Sequence, residues 1–388
     1  MKTFRRRPFG YQFLHVHLEN WRNFAKVEVD LAKRAFLVGP NASGKSNFLD
    51  VFRFLRDITL SGGLSQAVSN DRGGISKLRS LAARRYSDIA ISVKLGQSQN
   101  AETWEYSIRF NQDNRRRPVV KQERVRKGDK CILDRPNEED RKDPERMTQT
   151  YLEQINVNRD FREIAEFFSS VRYLHIVPQL IRDAERSKGR VSDPYGGDFL
   201  EQLVRTPRKT REAWLKRINE ALRVAVPQLK ELELSRDEMG SPHLRGLYEH
   251  WRPNAGWQTE EQFSDGTLRL VGLLWSILEG SGPLLLEEPE LSLHPEIVSR
   301  IPQMMARMQR RTGRQLIVST HSFDLLRDNG IGIDEVLLFV PGKEGTTVRL
   351  ASDFSDVMRL LDEDFTMAEA VIPITAPKNV AQLSLFGE

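Results

Sequence analysis

Cysteine occurs once in the 388 residues, as Cys131. That excludes an intramolecular disulfide and any multi-cysteine zinc site, and it suits a reducing compartment. No uninterrupted apolar run approaches the roughly 18 residues that span a bilayer. The basic N-terminus is not followed by the apolar stretch of a secretory leader. We therefore expect a cytoplasmic protein with no membrane partner. A sustained heptad repeat is also missing, which excludes a long coiled-coil arm. Acidic excess is lacking too: the formal net charge is +5, compatible with a polyanionic partner but weak evidence for one. What is present, 39% hydrophobic and 29% charged residues, is the balance of a globular chain with a sizeable core rather than a disordered one.

Patterning along the chain predicts an α/β protein. Short strands are expected over 13–18, 27–31 and 35–38, the last leading into a glycine-rich turn. Alternation over 89–95 and 104–110 predicts two half-buried strands. The turn-forming Asn111 to Asn114 should reverse the second into a partner strand, so a hairpin is expected. Between Asp113 and Lys130 stand eight basic residues against three acidic ones, so the basic excess is local. Residues 133–146 are charged and poorly patterned. Helices are expected over 151–171 and 199–226, one of them opened by Thr206 and Pro207. Alternation of helix and strand resumes with a helix over 267–278, a strand over 283–286, a helix over 296–308 and a strand over 315–319. These shifts divide the chain into a lobe at 1–132, a mostly helical insertion at 133–259, a second lobe at 260–365 and a flexible tail at 366–388.

The sharpest motif is Gly39-Pro40-Asn41-Ala42-Ser43-Gly44-Lys45-Ser46, a G-x-x-x-x-G-K-S loop between an apolar strand and a helix beginning near Asn47. Glycines let backbone N–H groups converge on phosphates, Lys45 neutralises the β/γ oxygens, and Ser46 can coordinate magnesium. Further on, the apolar Leu284-Leu285-Leu286 runs into Glu287-Glu288. A carboxylate at a strand end can hold a magnesium shell while its neighbour orients the attacking water. We assign Glu287 to the metal and Glu288 to the water, with ATP and Mg2+ as ligands.

Phe263-Ser264-Asp265-Gly266-Thr267 stands at a helix start, Ser319-Thr320-His321-Ser322 at a strand end, and Trp21-Arg22-Asn23-Phe24 before the P-loop. Taken in this order, the set resembles the SMC/RecF/OLD branch of ABC-type ATPases, over roughly residues 11–60 and 260–330. The resemblance implies an ABC-type head with a mixed sheet flanked by helices. It implies that Ser264, Asp265 and Gly266 belong to a signature that meets the γ-phosphate held by a second copy, so that ATP joins a head-to-head dimer. His321 corresponds by resemblance to the switch histidine, and Glu287 stands where an aspartate is commoner. For the glutamine loop the candidate is Gln66.

An OLD-like ATPase without a nuclease of its own implies a DNA-associated switch gating a separately encoded effector, a nuclease, in bacterial anti-phage defence. The Asp362-Glu363-Asp364 run lacks the preceding strand and glutamate that a nuclease site would need. A RecF-like repair or chromosome-maintenance ATPase is the alternative, and a transporter subunit fits the signature less well. Arg115, Arg116, Arg117, Arg124 and Arg126 are the expected DNA contacts. In the tail, Gln382, Leu383, Leu385 and Phe386 resemble the peptide that docks on the replicative sliding clamp. His15 and His17 have alternate-strand spacing with no third or fourth ligand, and a structural role is expected for them. Met304, Met305 and Met308 read as core packing at helical spacing.

Overall fold

The computed structural model describes residues 10–83, 87–98, 102–183, 193–249 and 256–376. Two compact units divide the chain: Met1–Arg172 with Ser281–Leu285 and Pro302–Glu388, and Tyr173–Gly280 with Leu286–Ile301.

The first unit opens with β1 (Gln12–Trp21), β2 (Phe24–Asp30) and β3 (Arg34–Val38), followed by β4 (Ile89–Gly96), β5 (Trp104–Gln112), β6 (Pro118–Lys127) and β7 (Lys130–Arg135). Six of these form a sheet of order β2-β1-β4-β5-β6-β7, every neighbouring pair antiparallel. Period-two patterning explains it: in β1, Val16 and Leu18 are buried while His15, His17 and Glu19 face outward. His15 bonds Asp30 at 2.8 Å and His17 bonds Glu19 at 3.2 Å, and no cluster of three or more His, Cys, Asp or Glu side chains that could hold a metal occurs among the described residues. The β5–β6 hairpin turns on Asp113, whose carboxylate accepts from the N–H groups of Arg115 and Arg117, each at 2.9 Å.

A second sheet has the order β15-β14-β3-β13-β12-β8, adding β8 (Arg172–Leu174), β12 (Leu284–Glu287), β13 (Leu316–Thr320), β14 (Val336–Gly342) and β15 (Gly345–Leu350). All five residues of β3 are buried, as expected of a strand paired in parallel with β13 on one side and β14 on the other. The helix Lys45–Asp57 joins the two sheets through its aromatics. Phe52 meets Phe13 of β1 at 4.6 Å between ring centroids, and Phe48 meets Phe339 of β14 at 5.6 Å.

The second unit holds the helices Phe199–Arg205, Arg208–Leu222 and Asp265–Leu278 with a three-stranded antiparallel sheet, β11-β10-β9, formed by β9 (Leu229–Arg236), β10 (Pro242–Tyr248) and β11 (Trp257–Thr259). Trp275 anchors it, meeting Phe199 at 6.0 Å and Trp214 at 5.1 Å. The segment 133–259 thus carries this sheet beside its helices.

Two helices are shorter than their patterns suggest. In 151–171 only Arg162–Ser169 is α-helical; residues 151–158 form turns in which the N–H groups of Val157 and Asn158 both donate to Gln154 O, and the N–H groups of Tyr151 and Leu152 donate to the buried Glu123 carboxylate at 2.7 and 3.2 Å. Glu123 in turn pairs with Arg135, which also pairs with Asp140; none of the three side chains is exposed. The segment 296–308 is split into Pro295–Val298 and Ile301–Thr312. Pro302, lacking an N–H, sits in the first turn of the second piece, where no donor is needed. Among the described residues, no helix is long and apolar enough to cross a membrane.

Candidate nucleotide-binding site

In the first unit the P-loop leaves β3 and enters its helix through Gly44, in the left-handed region at φ 99°. A side chain there is strained, and a Cβ would meet the Asn23 amide at 2.1 Å. Ala42 is also left-handed, at φ 61°. Asn23 explains why the segment before the P-loop belongs to the site. Its amide donates to Ser43 O and to Thr346 Oγ1, both at 2.9 Å, and its oxygen accepts from Asn47 at 2.8 Å. Lys45 is buried, its ammonium donating to the carbonyls of Gly39 at 2.8 Å and Pro40 at 3.1 Å. Ser43 Oγ is buried with no hydrogen-bond partner. A cationic group turned into the loop and a buried orphan hydroxyl fit the phosphates of a nucleotide.

Arg22 reaches Asp50 on the P-loop helix at 2.7 Å. Asp50 also takes a bidentate bond from the buried Arg72, which reaches Asp57 at 2.9 Å. Burial alone would raise the Asp50 pKa, but Arg72 first, then Arg22 and Arg53, outweigh it and hold the carboxyl below its usual range. Beside the loop opens a cleft of about 960 Å³ lined by Asn23, Ala42, Asn47, Lys77, Arg79 and Leu81, among others. Register places His321 by the same loop: Thr320 at the end of β13 pairs with Val38 at the end of β3. His321 therefore emerges alongside Gly39, and its side chain is exposed.

In the second unit, Glu287 closes β12 and accepts a hydrogen bond from the Tyr173 hydroxyl. Glu288 follows in the left-handed region at φ 44°, a strained conformation of the kind that clusters at functional sites. Carboxylate oxygen from Glu287 and hydroxyl oxygen from Ser46 are the hard donors magnesium prefers. His294 caps the next helix, its Nδ1 accepting from Glu296 N at 3.2 Å, which is a structural role.

Ser264 is the N-cap of the helix Asp265–Leu278, its hydroxyl accepting from Thr267 N at 3.1 Å. Gly266 is required by close approach: a Cβ would lie 2.6 Å from the Ser292 carbonyl. Arg182 fixes the loop by donating to Phe263 O at 2.7 Å and to Asp265 at 2.6 Å. Burial lowers the pKa of Arg269, one turn along the same helix, while Asp265, Glu288 and Glu290 oppose that shift.

Gln66 lies in a π-helical turn and bonds its neighbours Asp71 and Asn70. Gln179 is better placed. It follows β8, the strand beside β12 in the sheet order, and donates to Asp265 at 3.4 Å. Sequence reasoning missed Gln179, Arg182 and Tyr173; the one available signal was the apolar run before Gln179, ending in Val177-Pro178.

Of the basic hairpin residues, Arg115 and Arg116 are exposed at the tip. Arg117 is engaged by Asp113 and Glu145, each at 2.8 Å, Arg124 by Asp134 at 3.1 Å, and Arg126 by the carbonyl of Asp129 at 3.4 Å. Gln382, Leu383, Leu385 and Phe386 lie outside the described residues.

A P-loop between a parallel strand and its helix, a carboxylate pair at the end of another strand of the same sheet and a serine-capped helix give the fold of an ABC-type P-loop ATPase head; no long coiled coil occurs among the described residues. The chain belongs to the family described as "AAA domain, putative AbiEii toxin, Type IV TA system", whose model matches residues 34–328, and nucleotide binding is what such a P-loop family implies. Among solved structures it is similar to an SmcHead bound to the C-winged helix domain of ScpA, with a TM-score of 0.53 at 14% identity, covering 87% of this chain and 96% of that one. It is also similar to an SMC head domain from Thermotoga maritima, with a TM-score of 0.45 at 12% identity, covering 87% and 98% respectively. No curated protein sequence matches it.

Proposed function

We propose that this protein is an ATP-hydrolysing switch that works as a head-to-head dimer and gates a separately encoded nuclease effector on DNA, in bacterial anti-phage defence. The observation that carries the reading is that one chain holds both an intact P-loop around Lys45 and, on another helix, an N-capping signature serine at Ser264. Because a P-loop already supplies the phosphate cradle in cis, the signature's anion-binding helix start is free to serve a second copy. The toxin named in the family's description supports the defence context.

Residues Gly39 to Asn47 bind the triphosphate, and the adjoining cleft takes the nucleoside. Ser46 and Glu287 would hold magnesium, which supplies charge neutralisation at the β and γ oxygens. Glu288 orients the attacking water and accepts its proton. Gln179, in the short helix Pro178–Arg182 that follows β8, and His321, directly after β13, would respond to the γ-phosphate. Arg115 and Arg116 are the cations available to DNA phosphates. The test is phosphate release from ATP by the purified protein, alone and with the product of the neighbouring gene, with and without DNA. Absence of turnover under every condition removes the ATPase reading. Turnover with no change in any co-purifying nuclease removes the gating.

A further inference from the structure

We infer that Tyr173 is a positioning residue for Glu287, holding that carboxylate in the orientation in which it serves magnesium; this rests on the assignment of Glu287 made above. Tyr173 is the middle residue of β8, and β8 neighbours β12, of which Glu287 is the last residue. Its hydroxyl donates to Oε2 of Glu287. A glutamate at a strand end has three side-chain torsions to settle, and a bond from a phenol on the adjacent strand restricts them by holding Oε2.

The surroundings strengthen that bond. Leu174, Ile176, Leu273 and Leu286, with the guanidinium-bearing Arg269, line the same small cavity as Glu287, and beside apolar side chains a hydrogen bond to a charged oxygen counts for more than in water. A tyrosine wanted only for packing would be served equally by phenylalanine. The hydroxyl is therefore the atom to remove.

Tyr173→Phe keeps the ring and deletes that donor. The readout is binding of a fluorescent ATP analogue by anisotropy, without magnesium and across a magnesium titration, so that hydrolysis is not needed. Without magnesium the variant binds as the wild type does, and its unliganded unfolding temperature is unchanged. Its half-saturating magnesium concentration rises about tenfold, the usual effect of losing an outer partner of a metal ligand. As a second arm, Glu287→Asp withdraws the carboxylate from the phenol, so adding Tyr173→Phe to it costs nothing further. A magnesium titration of Tyr173→Phe that superimposes on the wild type, or additive losses in the double variant, overturns the inference and leaves the ATPase reading standing. A wild type whose nucleotide affinity ignores magnesium overturns both.

Discussion

At the scale of single residues, the division of labour between Lys45 and Glu288 is open to direct test. Lys45 points its ammonium into the loop against two carbonyls, where the oxygens of a triphosphate would replace them. A charge-assisted hydrogen bond contributes about 1.5–3 kcal/mol, so Lys45→Ala should weaken ATP binding between about tenfold and 100-fold, as calorimetry would record. Glu288→Gln keeps shape and removes only the base. Binding should persist while single-turnover hydrolysis falls about 100-fold to 10,000-fold. Unchanged turnover in Glu288→Gln would return Glu288 to an ordinary acidic turn, despite its strained φ of 44°. Residues of this kind were legible in the sequence because phosphate chemistry needs a contiguous loop and a strand-end carboxylate. Tyr173, Gln179 and Arg182 were not, because each acts on a group more than 80 positions away along the chain and no local spacing encodes that.

Elements were legible where one period dominated. β1, β4 and β5 follow their alternation, and β3 its buried run. The reading ran too long where tertiary contacts overrode propensity, as over 151–158, where turns closing on Gln154 O replace a helical ladder beside the buried Glu123–Arg135 pair. The same kind of buried ion pairing ties the P-loop helix to the turn carrying Arg72. Asp50 has its folded pKa depressed by Arg72 against the opposing effect of burial. Its contribution is therefore present above the unfolded carboxylate value of about 4 and is lost as pH falls through the lower folded value. Asp50→Asn should cost about 3 kcal/mol at neutral pH, since it leaves Arg72 buried with one partner fewer. It should also flatten the acid limb of the stability curve, and an acid limb identical to the wild type's in urea titrations at several pH values would disprove the linkage. The basic hairpin makes a graded prediction. Reversing Arg115 and Arg116, free of the carboxylates that hold Arg117 and Arg124, should lower the salt slope of DNA binding by about 0.9 per lost contact. Reversing Arg124 should change it less. Equal slopes throughout would leave the hairpin a solvated face.

The whole molecule is where the two halves of the chemistry must meet, and the proposal places that meeting between two copies. Its signature can be disabled without touching nucleotide binding, because Ser264 caps a helix in the second unit and Lys45 lies in the first. Ser264→Arg should therefore bind ATP as the wild type does and yet remain monomeric in light scattering, while Glu288→Gln with ATP should be dimeric. The stronger test uses symmetry. In a two-fold dimer each composite site takes its P-loop from one copy and its signature from the other. With ATP held below the weakened affinity of Lys45→Ala, that variant alone has no loaded P-loop, and Ser264→Arg alone has no working signature, so each should be inactive. Mixed, they can form a heterodimer in which the intact P-loop of one faces the intact signature of the other, while the second site is doubly defective. Neither variant pairs productively with itself, so the dimers that form are mixed and each has one working site of two; activity should return toward at most about half of the wild-type level. An in-cis site predicts no recovery at any mixing ratio, because neither chain then holds both intact parts.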